Sequence, residues 1–125
     1  MAVTILSNKK NASVVIHVAA ANASLVIAGN NSVSNVAIGN EVLTGATITQ
    51  VVYGNDGGAN HAQILRGANL VATFDSTGYI DYAGNGLALN KDSSANLVVN
   101  FNGSNSYCII EMQKIGGGSS EYLVG

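Results

Sequence analysis

The sequence predicts an all-β protein, an antiparallel β-sandwich or jelly roll of about seven to nine short strands. Apolar and polar residues alternate with a period of two in several segments, as they do along a strand with one buried face. Turn-forming residues separate these segments at a spacing of roughly ten residues. The one Ala-rich stretch, 19–23, is interrupted by Asn22 and later by Gly29, before a helix of useful length could form.

Two segments in the first half of the chain show the strand pattern well. In 13–19, Val14, Ile16 and Val18 share one face, which we expect to point into the core. The segment 47–53 carries β-branched residues on both faces, which favours a strand over a helix. Either face of this second strand could point inward.

A β-hairpin is predicted for 61–74. The segments 61–66 and 69–74 are joined by Gly67 and Ala68, and a two-residue connection with Gly first is typical of a type II′ turn. Alternation along the second strand of this hairpin places three residues inward: Leu70, Ala72 and Phe74.

Several shorter elements complete the middle of the chain. We expect a strand at 24–28, with loop and one more short strand in the rest of 19–45. The segment 75–78 is predicted to be a turn, because its Asp can bond nearby backbone and its Gly permits a left-handed residue. A short strand is expected at 79–82, a second turn at 83–86 and strand spacing at 87–89.

The last two predicted strands alternate most regularly. They are 95–102 and 107–113, and the residues between them include a Gly-Ser pair that can turn the chain back. We expect the two strands to pair antiparallel. Six residues would then lie on one core face: Leu97, Val99, Phe101, Cys108, Ile110 and Met112.

The chain divides into one β-sandwich domain, 1–115, and a flexible Gly- and Ser-rich tail, 116–125. The tail ends in apolar residues that are too few to fold alone, so we expect them to dock on a partner. Tyr79 and Tyr82 lie beside a predicted turn and are expected to be interface residues. The predicted partner-binding residues are therefore Tyr122, Leu123, Val124, Tyr79 and Tyr82.

Composition indicates a surface that is covered by neutral groups. Only 10% of the residues are charged, 47% are hydrophobic and proline is absent, whereas about 25% charged is typical of soluble domains. Such a surface suits burial against neighbouring subunits, so we expect a homo-oligomer or a subunit repeated on a larger assembly. Five Lys and Arg against seven Asp and Glu leave no basic stripe, and nucleic acid is not an expected partner.

No enzyme, metal, cofactor or small-molecule substrate is predicted. Cys108 lies inside an apolar run, which indicates a small core residue. His17 and His61 are expected to be outward imidazoles, because the chain lacks the spacing of a zinc site. No targeting segment is predicted, since the apolar segment 1–6 is shorter than a signal peptide requires. A membrane is not an expected partner.

Four segments of the chain carry a resemblance to a known protein family. They are ILRGAN at 64–69, FDSTGYIDYAG at 74–84, LVVN at 97–100 and IIEMQK at 109–114. Together they make the region from Ala46 to Lys114 similar to small virion proteins of tailed bacteriophages, particularly marine and cyanobacterial phages. The resemblance implies a β-rich, non-enzymatic structural protein of the virion, made in the cytoplasm of the host bacterium. Its implied partner is the major capsid protein or another virion protein.

The expected function is decoration or cementing of the capsid shell through protein–protein contacts. Many weak contacts of a repeated subunit add through multivalency, which suits a chain with short strands and few charges. The first alternative is a component of the tail or a fibre. The second is a carbohydrate-binding module, in which Tyr79 and Tyr82 beside Asp81 would line a shallow site.

Overall fold

The computed structural model describes residues 3–19, 21–54, 61–74, 78–81, 94–102 and 106–116. This part of the chain contains ten strands and no helix, so the predicted all-β antiparallel class is confirmed. The strands are β1 (Val3–Asn8), β2 (Ser13–Ala19), β3 (Ala23–Leu25), β4 (Gly29–Asn30), β5 (Val42–Gly54), β6 (His61–Arg66), β7 (Asn69–Phe74), β8 (Gly78–Asp81), β9 (Leu97–Asn102) and β10 (Tyr107–Gly116).

The strands form two antiparallel sheets. The larger sheet has the order β1-β2-β10-β5-β4, and β8 also pairs with β5. The smaller sheet has the order β3-β9-β6-β7. Because β10 pairs with β2 along one edge and with β5 along the other, it is the central strand of the larger sheet.

Both sheets contribute apolar side chains to one core. The predicted inward faces of β2 and β10 are confirmed, since every one of their six apolar residues is fully buried. Leu97 and Val99 of β9 are buried as well, and Phe101 is half-buried and packs against the same core. The buried apolar residues of these three strands are Val14, Ile16, Val18, Cys108, Ile110, Met112, Leu97 and Val99.

The predicted pairing of the last two strands is wrong. β9 pairs with β3 and β6 in the smaller sheet, whereas β10 pairs with β2 and β5 in the larger one. Their inward faces therefore meet across the core and are not side by side in one sheet. Alternation fixes which residues point inward, but it does not fix which strand lies alongside.

The long strand β5 changes its inward face because it contains two bulges. Its register with β10 shifts at Thr49 and again at Thr44, each of which is an extra residue against its partner. Ile48 and Val51 are therefore both buried although they are three residues apart. Both threonine hydroxyls contact β10. Thr44 Oγ1 donates to the Ile115 carbonyl oxygen at 3.2 Å, and Thr49 Oγ1 is 2.8 Å from the Glu111 Oε1 and 3.2 Å from the Glu111 carbonyl oxygen.

The hairpin β6–β7 is confirmed, with Arg66 paired to Asn69 across the turn. The prediction that Leu70 points inward is wrong, since its side chain is 58% exposed. A register shift leaves Val71 as an extra residue opposite β6, so alternation reverses at that point. Phe74, beyond the bulge, is buried as predicted.

Between β2 and β5 the structure shows two very short strands, β3 and β4, where one strand at 24–28 and a further short strand were expected. The strand predicted at 79–82 corresponds to β8. Of the turn predicted at 75–78, only Gly78 is described, and it begins β8. The turn predicted at 83–86 and the strand spacing at 87–89 lie outside the described residues, as does the tail after Gly116.

Replacement of Leu97 by alanine tests the position of the core. Leu97 is fully buried, so Leu97→Ala should lower the free energy of unfolding by about 2–5 kcal/mol. Leu70→Ala is the matched control, and its effect should stay below about 1 kcal/mol because the side chain is mostly exposed. Chemical denaturation measures both values. Equal losses in the two variants would contradict the assigned faces of β7 and β9.

The turn of the hairpin gives a second test. Gly67 has φ of +62°, and Asn11 is the only described non-glycine residue with positive φ, so Ala68 has the negative φ of a type II′ turn. Gly67→Val should therefore lower the melting temperature more than Ala68→Val, because a β-branched residue is disfavoured at positive φ. Equal melting temperatures would show that the turn does not need glycine.

Candidate functional site

An open groove of about 480 Å³ lies between β1 and β3, which are edge strands of the two sheets. Within the described ranges β1 pairs only with β2, and β3 pairs only with β9. One edge of each strand is thus without a strand partner there. The residues that line the groove are Val3, Ile5, Asn22, Ala23, Ser24, Leu25 and Asn35, and none of them is charged.

Two asparagines give the groove fixed polar groups. The Asn22 Oδ1 accepts a hydrogen bond from the Phe101 N–H at 2.7 Å, and the Asn35 Oδ1 accepts one from the Val26 N–H at 2.7 Å. Their side-chain nitrogens have no hydrogen-bond partner among the described residues. The groove therefore combines an apolar lining with amide donors that can bind a carbonyl oxygen.

Exposed apolar side chains also occur on the edge strand β1. Ile5 is 43% exposed and Leu6 is 54% exposed. A register shift against β2 makes Leu6 an extra residue, so two neighbouring apolar side chains both reach the surface. Contiguous apolar groups beside an unpaired strand edge are typical of an interaction surface.

A second cluster of functional groups lies in the interior, where the side chains of Lys114 and Glu41 are fully buried. The Lys114 Nζ is 2.8 Å from the Glu41 Oε1 and 2.6 Å from the Asn8 Oδ1. The Asn8 Nδ2 donates to the Val36 carbonyl oxygen at 3.0 Å. The last strand, the first strand and the loop before β5 therefore meet at one amine.

Backbone groups complete the environment of Glu41. Its Oε2 accepts from the Asn11 N–H at 2.7 Å, and its Oε1 accepts from the Ile38 N–H at 2.8 Å. Burial acts to raise the pKa of this carboxyl group, but the hydrogen bonds from Lys114 and from the two backbone N–H groups outweigh it and lower the pKa. Glu41 is thus held as a carboxylate beside the ammonium group.

A buried arginine connects the two sheets. Arg66 ends β6 and is 1% exposed. Its Nη1 donates to the Ala46 carbonyl oxygen of β5 at 2.7 Å, and its Nη2 donates to the Ala95 carbonyl oxygen at 3.1 Å. These hydrogen bonds make the guanidinium group a structural link, since they satisfy backbone groups that are close to the core.

The sequence-predicted site residues do not gather at the groove. Tyr79 lies on β8 and is 59% exposed, but it does not line the groove. Tyr82 and the apolar end of the tail at 122–124 lie outside the described residues, and their predicted role remains a prediction. Sequence reasoning missed the buried ionic cluster, although Lys114 continues the inward alternation of β10 after Met112.

The other candidate residues of the sequence have ordinary structural roles. Cys108 is buried, as predicted, and His17 is half-buried with its ring centroid 6.0 Å from that of Tyr107. In the residues that the structure describes, no three His, Cys, Asp or Glu side chains are grouped as a metal site requires. The same residues include no helix with the length and apolar character needed to cross a membrane.

No family model, no curated protein and no solved structure matches this chain. The groove, the exposed apolar edge and the buried cluster are the features of the molecule that bear on its function.

The thiol of Cys108 gives a test of the interior. Burial raises its pKa to about 12, so the group stays protonated at neutral and mildly alkaline pH. We expect no alkylation of the native protein by iodoacetamide at about pH 8, and complete alkylation in denaturant. Mass spectrometry measures both. Equal labelling rates in the native and denatured protein would place Cys108 outside the core.

Proposed function

We propose that the protein is a non-enzymatic structural subunit of a virion that decorates or cements the capsid shell through protein–protein contacts. The observation that carries this proposal is the uncharged groove between two strand edges, with exposed apolar side chains on β1 beside it. The resemblance of 46–114 to small virion proteins of tailed phages supplies the assembly in which such a surface would be used.

An extended segment of a partner suits this groove. An unpaired strand edge offers backbone N–H and C=O groups in a row, and a partner strand can pair with them while its side chains enter pockets. Ile5 and Leu25 provide apolar contact on the two sides, and the amide nitrogen of Asn22 can donate to a backbone carbonyl. The partner segment would thus close the gap between the two sheets.

The neutral character of the groove favours association by burial of apolar area. None of the lining residues is charged, so ion pairs add little to the affinity at this surface. Salt screens interactions between charges, and the affinity should change little between low and physiological ionic strength. Repetition of the subunit on a particle would add many such contacts.

Three of the described reactive groups suit a structural role. Cys108, Lys114 and Glu41 are all buried, and the two ionic groups are engaged with each other. A substrate in solution could reach none of these three groups without opening the core. We therefore include the absence of enzymatic activity in the proposal.

One observation favours the carbohydrate-binding alternative. The ring of Tyr79 is 59% exposed, and an exposed aromatic face can stack on a sugar ring. A glycan array tests this alternative directly. Specific glycan binding that is lost in Tyr79→Ala would support it over the shell-binding function.

Substitution of Ile5 tests the proposed surface. Ile5→Glu places a charge where apolar contact is expected, so binding to capsid shells that lack this subunit should weaken by about tenfold or more. Leu70→Glu is the matched control, because Leu70 is also an exposed apolar residue on an edge strand, but of β7. Co-sedimentation with the shells measures binding, and melting temperatures confirm that both variants are folded.

The outcomes separate two errors. A wild-type protein that does not bind shells, or that binds only isolated tails or fibres, would overturn the shell-binding function. Equal weakening by Ile5→Glu and Leu70→Glu would leave the function intact but would contradict the groove as its site.

A further inference from the structure

A primary amine, a carboxamide and a carboxyl group lie in contact inside the protein. They belong to Lys114, Asn8 and Glu41, and they come from the last strand, the first strand and the loop before β5. We propose that Lys114 and Asn8 become joined by an intramolecular isopeptide bond, and that Glu41 carries the protons in that reaction. The protein would thus form a covalent cross-link between β1 and β10 without another enzyme.

The distance between the reacting groups suits attack of the amine on the amide carbon. The Lys114 Nζ is 2.6 Å from the Asn8 Oδ1. With a carbonyl bond of about 1.23 Å, this contact places the nitrogen roughly 3–4 Å from the Asn8 Cγ. A near-attack arrangement needs about 3–3.5 Å and aligned orbitals, so the amine has only to move from the Oδ1 to the face of the amide to reach it. Folding has already paid the entropy cost of bringing the two groups together.

The carboxamide is held in one orientation. The Asn8 Nδ2 donates to the Val36 carbonyl oxygen at 3.0 Å, which leaves the Oδ1 toward the amine. Lys114 and Glu41 are fully buried and Asn8 is half-buried, so the amine and the carboxylate meet the amide on its protein side. The amine is therefore the nucleophile that can reach the Cγ.

Glu41 is placed to move the protons, since its Oε1 is 2.8 Å from the Lys114 Nζ. The ammonium group first gives a proton to the carboxylate, and the neutral amine then attacks the Asn8 Cγ, so that the Nζ–Cγ bond forms and the carbonyl electrons move to the Oδ1. Glu41 then gives a proton to the Nδ2 and takes one from the Nζ. The carbonyl reforms, the Cγ–Nδ2 bond breaks, and ammonia leaves and takes up the proton held by Glu41.

The atoms and charges balance without an oxidant, a metal or a co-reactant. One ammonium side chain and one carboxamide give one secondary amide and one ammonium ion, and Glu41 ends as the carboxylate with which it began. The N–H groups of Asn11 and Ile38 favour that carboxylate form, so the first proton transfer to Glu41 is unfavourable. We therefore expect the bond to form slowly after folding.

The position of the bond gives it a mechanical consequence. Asn8 and Lys114 are 106 residues apart in the chain, so the bond would close nearly the whole domain into a ring. Both strands flank β2 in the larger sheet, and β1 also carries the exposed apolar residues. A cross-link would hold this edge strand on the sheet when a partner pulls on it.

Intact-mass spectrometry of the purified, aged full chain tests the proposal. We expect the wild-type mass to be lower than the sequence mass by one ammonia molecule, and digestion to give one branched peptide that joins the Asn8 and Lys114 segments. Lys114→Arg and Glu41→Gln should keep their full sequence masses. Lys9→Arg is the matched control, because Lys9 is exposed, and it should lose ammonia as the wild type does.

The alternatives give different results. Asn8→Asp should lose water in place of ammonia, because a carboxyl group then reacts with the amine. This variant tests whether residue 8 supplies the carbonyl carbon of the bond, even if Glu41→Gln fails to fold. Loss of ammonia that persists in Lys114→Arg would indicate a succinimide at an asparagine and would overturn the proposal. A folded wild-type protein that keeps its full sequence mass after prolonged incubation would also overturn it.

Discussion

The burial of one amine at the end of β10 determines how that end of the molecule is built. An ammonium group inside a protein must be paired and hydrogen-bonded, since an isolated buried charge costs several kcal/mol. Glu41 supplies the opposite charge, Asn8 supplies an acceptor, and the N–H groups of Asn11 and Ile38 hold the carboxylate. The β1–β2 turn and the loop before β5 are therefore fixed to the central strand by polar contacts.

The N-terminal end of β1 lies beside the open groove and not beside the buried ionic cluster. From Val3 to Ile5 the strand borders an open, uncharged groove, and β3 forms the opposite wall. The structure thus combines an edge strand that is anchored at its far end with a surface that is free to accept a partner. Such an arrangement suits a subunit that must bind neighbours without loosening its own fold, and an isopeptide bond at Lys114 would strengthen the anchor further.

Local pattern was enough to predict β2, β6, β7, β9 and β10, the inward faces of β2 and β10 and the hairpin at Gly67, because these depend on alternation and turn chemistry. The edge strand β1 was not predicted. The pairing partner of each strand was not predictable in the same way. β9 was wrongly paired with β10, because the loop between two strands does not show whether the second strand joins the same sheet or the opposite one. Bulges at Thr49 and Val71 reverse the alternation, and Leu70 was misplaced for that reason. The groove and the Lys114 cluster join residues that are far apart in sequence, so only the three-dimensional arrangement shows them.

Hydrogen–deuterium exchange, compared between the free protein and the protein bound to a capsid shell, tests this account most directly. In the free protein the amides of β2 and β10 should exchange slowly, while those of β1 and β3 that face the groove should exchange faster. On binding, exchange at 3–6 and 23–25 should slow by about tenfold or more, because a partner strand would occupy the unpaired edges. Unchanged exchange in these two segments, with protection appearing on β7 or β8 instead, would contradict the groove as the assembly surface.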